Sequence, residues 1–155
     1  MSQLLEVAGV QNIVGNYLAT VHEWLPVIQP RKLDQAISLP IWESGAELSA
    51  LLLAMKLVTS HSCDSSDIDQ HHIYQTTKRF IGLLEAGGAV SLTVLQANLL
   101  VAWHEYGQAI YPASYITTGW CVRYANLLGI NGYPGAIQLL PGQVGKSLTI
   151  VAETD

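Results

Sequence analysis

The sequence has 155 residues, of which half are hydrophobic and 12% are charged, and its formal net charge at pH 7 is −5. A chain of this length predicts one domain, large enough to bury a core without a disulfide or a metal ion. The seven Lys and Arg residues are scattered, which argues against direct nucleic-acid binding because phosphate contacts need clustered positive charge. No run of 18 apolar residues occurs, so no membrane-spanning helix is expected.

The low charge also predicts apolar surface that the chain does not bury by itself. The charged fraction of 12% is about half of the ~25% that is usual in soluble domains. A second copy, a further part of the chain or a ligand would cover such surface, and a homodimer is the simplest arrangement. The two cysteines, Cys63 and Cys121, form no disulfide-scaffold pattern, which favours a reducing, intracellular compartment.

The first predicted helix begins near Ser2 and ends just before Pro26, because proline lacks the backbone donor that a helix interior needs. Its apolar residues recur at gaps of three and four and predict one buried stripe. These residues are Leu4, Val10, Val14, Tyr17, Leu18, Val21, Leu25 and Ile28. Residues 29–40 are predicted to form a connector with one short helical turn at 32–37.

The second predicted helix begins at a capping box, in which Ser44 and Glu47 satisfy the free amides of the first turn. Residues 48–58 follow without a helix breaker and are apolar nearly all round, so this helix is expected to be buried on most sides. The polar residues 61–70 are predicted to form a surface loop.

Three further helices are predicted over residues 71–86, 92–107 and 112–128. Gly87-Gly88, Gly107 and Gly129 end them, since glycine is favoured just past a helix C-terminus. Ser91 is the expected N-cap of the middle one. The predicted inward residues are Ile73, Tyr74, Thr77, Ile81 and Leu84, then Leu92, Leu95, Leu99, Trp103 and Tyr106, then Tyr115 or Ile116, Trp120, Tyr124 and Leu127. Lys78, Arg79 and Glu85 are expected to face water.

These elements predict an all-α fold, an antiparallel helical hairpin array or bundle that is incomplete at its C-terminus. Short connections between the last three helices favour antiparallel neighbours. The helical domain is expected to cover residues 1–130. Residues 131–155 are rich in turn signals and are predicted to be an irregular tail, the start of a truncated continuation.

Three stretches of the chain resemble one known family when taken in order. Residues 16–28 hold an aromatic residue, a His and then a Pro followed by aliphatic residues; 91–107 contain Gln96 and end in Trp-His-Glu-Tyr-Gly; and 119–129 contain Arg123 before Leu-Gly. They are similar to the middle homology region of fungal zinc-cluster transcription factors, also called the fungal-specific transcription factor domain. The resemblance covers roughly residues 12–130.

The resemblance implies a regulatory and oligomerising role in the nucleus, without catalysis or a cofactor. It also implies structural importance for Tyr17, Trp24, Pro26, Gln96, Trp103, Tyr106, Trp120, Arg123 and Leu128. Two features depart from the family. The two cysteines are too few for its zinc-binding, DNA-reading module, and the sequence ends before its usual helix with Arg-Arg and Trp.

The aromatic residues of the last two predicted helices define a candidate effector pocket. Core and helix-interface packing is the favoured explanation of them, but ligand pockets are also mostly apolar with a few polar groups. The candidate residues are Trp103, Tyr106, Tyr115, Trp120, Arg123 and Tyr124. A small aromatic or apolar effector would suit this pocket, with Thr117, Thr118 and Arg123 as polar contacts. Arg123 is expected either to be solvated or to pair with a carboxylate such as Glu105.

Two sharper chemical interpretations have weaker support. His61, Cys63, His71 and His72, with Asp64, Asp67 and Asp69, carry metal-ligating atoms, but their spacing matches no established site and favours a solvated loop. Cys121 and His104 suggest a nucleophile and a base, but no third group orients them and a Cys on an apolar stripe is usually core. No catalytic or metal site is therefore predicted.

Two alternatives to a regulatory domain stay open. The helical array also suits a helical-repeat adaptor that binds a partner helix in a groove. It equally suits a dimerisation segment of a small-molecule enzyme whose catalytic part lies elsewhere. Under each interpretation the expected partner is another protein or a second copy, with no membrane contact.

Overall fold

The computed structural model describes residues 2–38, 41–60 and 67–130, and within these ranges the side chains of residues 2–8, 41–44 and 67 are not described. The described residues contain six α-helices and no strand, which confirms the all-α class. The helices are α1 (Ser2–Thr20), α2 (Pro30–Ser38), α3 (Ile41–Thr59), α4 (Asp67–Ala86), α5 (Leu92–Gly107) and α6 (Ala113–Leu127). The antiparallel hairpin arrangement and the domain boundary at residue 130 stay predictions, and the predicted tail lies outside the described residues.

Helix α3 lies at the centre of the core. It packs against α1, α2, α4 and α5, whereas α6 packs mainly on α5. The prediction that α3 is buried on most sides is confirmed, because it contributes six buried apolar side chains: Leu48, Ala50, Leu51, Ala54, Met55 and Leu57. A second, smaller core lies between α5 and α6 around Val94, Leu95, Cys121 and Tyr124.

Helix α1 ends at Thr20, earlier than the proline alone predicts. The Trp24 indole N–H donates to the Thr20 carbonyl at 2.8 Å, and the backbone amides of Val21 and His22 both bond the Tyr17 carbonyl. These bonds satisfy the carbonyls at the helix end while the chain turns over residues 21–24. The predicted stripe is nevertheless correct in its second half, where Val14, Tyr17 and Val21 are buried.

The connector over residues 29–40 contains a longer helix than the single turn predicted at 32–37. Helix α2 covers Pro30–Ser38, with proline at its first position, where a missing N–H costs nothing. In α3, Gly45 has φ 79° and ψ 159°, so the regular helix begins immediately after it. That break lies one residue past the predicted Ser44 cap, whose side chain is outside the described residues.

Helix α4 begins at Asp67, four residues earlier than predicted. Asp69 lies in its first turn, where a negative charge stabilises a helix N-terminus. The predicted glycine stops are confirmed at Gly88 and Gly129, which have φ 76° and 77°. The Ser91 cap is confirmed as well, because its hydroxyl accepts the Val94 amide at 3.3 Å.

The predicted inward faces of α5 and α6 were partly wrong. Trp103 is 41% exposed and Tyr106 is 72% exposed, and Tyr115, Ile116 and Leu127 are also exposed. On α5 the residues buried toward the main core lie on another face: Ala97, Leu100, Val101, His104 and Glu105. The pattern failed because α5 is apolar on two sides, and only one of them meets the main core. No described helix has the length and hydropathy to cross a membrane.

Candidate functional site

An apolar groove of about 560 Å³ lies between α5, α6 and the segment that follows α1. Five of its residues come from α5: Leu95, Leu99, Ala102, Trp103 and Tyr106. Five come from α6: Ser114, Thr118, Cys121, Val122 and Ala125. Leu25, Val27 and Ile130 complete the lining.

Both helices line the groove with the same residue spacing. From Leu95 and from Ser114 the lining positions follow at steps of four, three, one and three residues. Such spacing places them on one face of each helix. Eleven residue steps at a rise of 1.5 Å give each wall a length of ~16 Å. The groove is therefore elongated and spans about three helical turns.

The segment after α1, which contributes Leu25 and Val27, forms the third wall of the groove. Two hydrogen bonds hold this wall in place. The Tyr17 hydroxyl donates to the Leu25 carbonyl at 3.0 Å, and the Gln96 side-chain amide donates to the Val27 carbonyl at 2.7 Å. Tyr17 is fully buried, and burial raises the pKa of its hydroxyl to about 12. The hydroxyl thus stays protonated at neutral pH and keeps its role as a donor.

Two aromatic residues of the lining, Trp103 and Tyr106, form one end of the groove, and Trp24 packs against Trp103 beside it. The rings of Trp24 and Trp103 lie 4.7 Å apart at an angle of 50°, and those of Trp103 and Tyr106 lie 6.1 Å apart. Trp24, Trp103 and Tyr106 are all exposed in part. This end therefore presents flat apolar faces to anything that enters the groove.

Among the described residues, no charged side chain lines the groove. Its polar side-chain groups are the hydroxyls of Ser114 and Thr118 on α6, the Cys121 thiol beside them and the Tyr106 phenol at the aromatic end. Cys121 is buried, and desolvation raises the pKa of its thiol to about 11. The thiol is therefore neutral at physiological pH, and a neutral thiol is a poor nucleophile.

A buried ionic cluster joins α4, α5 and α6. Glu105 is fully buried, accepts a hydrogen bond of 2.7 Å from the Tyr74 hydroxyl and pairs with Lys78 at 3.1 Å. Lys78 also donates to the Thr117 hydroxyl at 2.9 Å. Burial and the Glu105 carboxylate raise the pKa of Tyr74. The expectation that Lys78 faces water was wrong, and the carboxylate suggested for Arg123 pairs with Lys78 instead.

The six predicted pocket residues do not lie in one place. Trp103 and Tyr106 line the groove, whereas Tyr115 and Arg123 are exposed outside its lining. Trp120 stacks on Tyr124 at 4.3 Å. The Tyr124 hydroxyl accepts the Ser91 amide and donates to the Ala89 carbonyl, so this residue ties α6 to the start of α5.

Sequence reasoning missed most of the groove. The sequence predicts Thr118 only as a polar contact beside the aromatic residues, and it does not predict Ser114, Val122 or Ala125 as lining residues. A signal was available, because the two walls share one spacing and each combines small with apolar residues. Taking the second apolar side of α5 into account would have paired it with residues 114–125.

The remaining candidate sites are the predicted metal loop, the pair of Cys121 and His104, and a second cavity. Residues 61–66 of the predicted metal loop lie outside the described residues, and no group of three metal-ligating side chains occurs within the described part. Cys121 faces the groove, whereas the His104 ring lies 5.6 Å from the Tyr74 ring on the side of the ionic cluster. A second cavity of about 720 Å³ lies near α2 and includes Lys32 and Glu47, but none of the predicted pocket residues.

Comparison with known proteins gives one clear similarity. The chain is 35% identical over 115 residues to the protein named Transcription factor BOA15 from Botryotinia fuckeliana (strain B05.10). The matched region is 74% of this chain and 64% of that protein, so the chain spans less than two thirds of that relative's length. No protein-family model matches the chain, and no solved structure matches it.

Proposed function

We propose that this chain is a regulatory domain of a fungal zinc-cluster-type transcription factor that acts through protein or effector contacts rather than catalysis. The proposal rests on one observation: the chain is 35% identical over 115 residues to a protein named as a transcription factor. The three family-like stretches of the sequence support the same assignment. We further propose that the domain works in the nucleus.

The structure supports a mode of action through contacts with a protein or an effector rather than through DNA binding. The described residues offer an uncharged groove and several exposed aromatic residues on α5 and α6. Lys and Arg residues number seven in a chain of net charge −5, which does not suit phosphate binding. A further expectation is self-association, because an exposed apolar face of this kind is commonly covered by a second copy.

The proposal is tested by fusing the full 155-residue chain to a heterologous DNA-binding domain in a fungal reporter strain. A regulatory domain changes reporter transcription at least several-fold relative to the DNA-binding domain alone. Protein levels are measured by immunoblot, so that a difference in abundance is not mistaken for regulation. Equal reporter output at equal abundance, under all growth conditions tried, would overturn the proposal.

Self-association is measured separately by light scattering over a wide concentration range. A mass of twice 16.8 kDa is the expected result. A mass of one chain at every concentration would exclude the homodimer and leave the regulatory proposal to the reporter.

A further inference from the structure

We infer that the groove between α5 and α6 is a binding site for an uncharged, elongated and mainly apolar small molecule that carries hydrogen-bonding oxygens along one edge. The inference deepens and rests on the proposed function, since such a molecule would be the effector of the regulatory domain. Three observations support it: the size and shape of the groove, its charge, and the arrangement of its polar groups.

Size and shape suit a small molecule. The volume of about 560 Å³ falls within the ~300–1,000 Å³ that ligand pockets occupy. Walls from α5, α6 and Leu25–Val27 enclose the space on three sides. The hydrogen bonds from Tyr17 and Gln96 hold the third wall, so the groove exists before a ligand binds. Such preorganisation lowers the cost of binding.

The charge of the site selects a neutral ligand. The lining that the described residues form contains no Lys, Arg, His, Asp or Glu, and the raised pKa of Cys121 keeps its thiol protonated. An ionised ligand would lose its hydration without gaining an opposite charge, which is unfavourable. A neutral molecule avoids the cost of burying a charge. The burial of its apolar surface then supplies the affinity.

The polar groups of α6 are the reason for proposing a ligand with oxygens along one edge. Ser114, Thr118 and Cys121 follow one another along the wall at helical spacing, and each can donate a hydrogen bond. Within the described residues, Thr20, Thr59 and Thr77 donate to the carbonyl four residues earlier. Ser114 and Thr118 form no such bond with any residue that the structure describes, so their hydroxyls are available to a ligand.

The aromatic end of the groove is the reason for proposing that most of the ligand is apolar. Trp103 and Tyr106 stand on the wall opposite Ser114 and Thr118 and remain partly exposed. Flat rings or chains stack favourably on such side chains. The ligand would therefore lie with its apolar surface on α5 and its oxygens toward α6.

The test uses Nile red, a flat and uncharged dye with a carbonyl group, whose fluorescence rises in apolar surroundings. The full chain is expected to bind one dye molecule in a saturable manner. An anionic dye of similar size, anilinonaphthalene sulfonate, is expected to bind at least tenfold more weakly, a difference of about 1.4 kcal/mol. Equal affinity for the two dyes would overturn the claim of neutral selectivity.

A matched pair of substitutions locates the site. Val122 and Ile116 both lie on α6 and are 58% and 60% exposed, but only Val122 lines the groove. We expect Val122→Lys to weaken Nile red binding at least tenfold and Ile116→Lys to leave it unchanged. Thr118→Lys, at an exposed lining position, is expected to act like Val122→Lys. Circular dichroism melting of each variant confirms that it is folded.

Other occupants of the groove give different results. If Val122→Lys abolishes a dimer seen by light scattering but leaves dye binding unchanged, the groove is an interface between two copies and the inference is wrong. The absence of saturable Nile red binding also overturns it. Neither result bears on reporter regulation by the fusion protein, so failure of the ligand site and failure of the proposed function are separable.

Discussion

The Gln96 side-chain amide donates a hydrogen bond of 2.7 Å to the Val27 carbonyl, which lies 69 residues earlier in the chain. This bond ties α5 to the segment that forms the third wall of the groove. Gln96→Leu removes the donor and leaves the carbonyl without that partner. We expect a loss of about 1 kcal/mol in the free energy of unfolding, measured by urea denaturation.

The same variant links stability to the groove. Because the third wall loses an anchor, Gln96→Leu should also weaken Nile red binding. Gln75→Leu is the matched control, since Gln75 is exposed on α4 and away from the groove. If both variants keep wild-type stability and dye affinity, the Gln96 bond does not hold the wall.

The ion pair between the partly exposed Lys78 and the buried Glu105 gives a second prediction. Lys78→Met leaves the Glu105 carboxylate buried with the Tyr74 hydroxyl as its remaining partner. Breaking a buried pair commonly costs ~3–5 kcal/mol. The Lys78 side chain is 36% exposed, so we expect the lower end, about 3 kcal/mol, in chemical denaturation.

Two controls test this prediction. Arg79→Met, at an exposed neighbour on the same helix, should change the free energy of unfolding by less than about 0.5 kcal/mol. The double variant Lys78→Met with Glu105→Met should recover most of the loss, since apolar replacement of a buried pair is often neutral. A stable Lys78→Met single variant would show that the carboxylate does not need its cation.

The Glu105 cluster also shows why the fold was more predictable than the site. Helix positions follow from glycine stops, caps and apolar spacing, all of which are local signals such as Ser91 and Gly129. The pairing of Glu105 with Lys78 depends on how α4 meets α5. Glu105 has the same residue type as the exposed Glu85, and Lys78 has the same charge as the exposed Arg79, so the sequence alone contained no signal that separated the buried pair from its exposed neighbours.

The groove was missed for a related reason. Helix α5 is apolar on two sides, and spacing alone does not say which of them meets the core. Leu95, Leu99, Trp103 and Tyr106 were predicted to face inward as one stripe, and they do share one face. That face looks onto the groove, because α3 and α4 occupy the other side of the helix.

The ring contact between Trp24 and Trp103 gives a third prediction. Their centroids lie 4.7 Å apart, and such aromatic pairs contribute about 0.5–1.5 kcal/mol beyond their buried area. A double-mutant cycle with Trp24→Ala and Trp103→Ala should measure a coupling energy in that range. The cycle subtracts the separate loss of the hydrogen bond from Trp24 to the Thr20 carbonyl.

A second double-mutant cycle, with Trp24→Ala and Trp120→Ala, is the control for the Trp24–Trp103 pair. Trp120 stacks on Tyr124 and has no ring contact with Trp24 among the described residues. The losses from Trp24→Ala and Trp120→Ala should therefore add to within about 0.5 kcal/mol. Equal coupling in the two cycles would mean that the Trp24–Trp103 contact has no specific energy.

The Cys121 thiol gives the last prediction, which concerns alkaline pH. Burial raises its pKa from 9.0 to about 11, so the folded state holds a proton that the unfolded state releases in this range. Stability from this group is complete below pH 9 and is lost as the pH rises toward 11. The loss amounts to at most about 3 kcal/mol, since each pKa unit corresponds to ~1.4 kcal/mol.

The contribution of Cys121 is isolated by comparing Cys121→Ala with the wild type. Both should lose stability at high pH, because Tyr17 and Tyr74 also have raised pKa values, but the decline between pH 9 and 11 should be shallower in the variant. In a Cys63→Ser background, Cys121 should react with a disulfide reagent at pH 8 at least tenfold more slowly when folded than in urea. Identical pH profiles together with fast labelling would show that the thiol is neither desolvated nor protected by the walls of the groove.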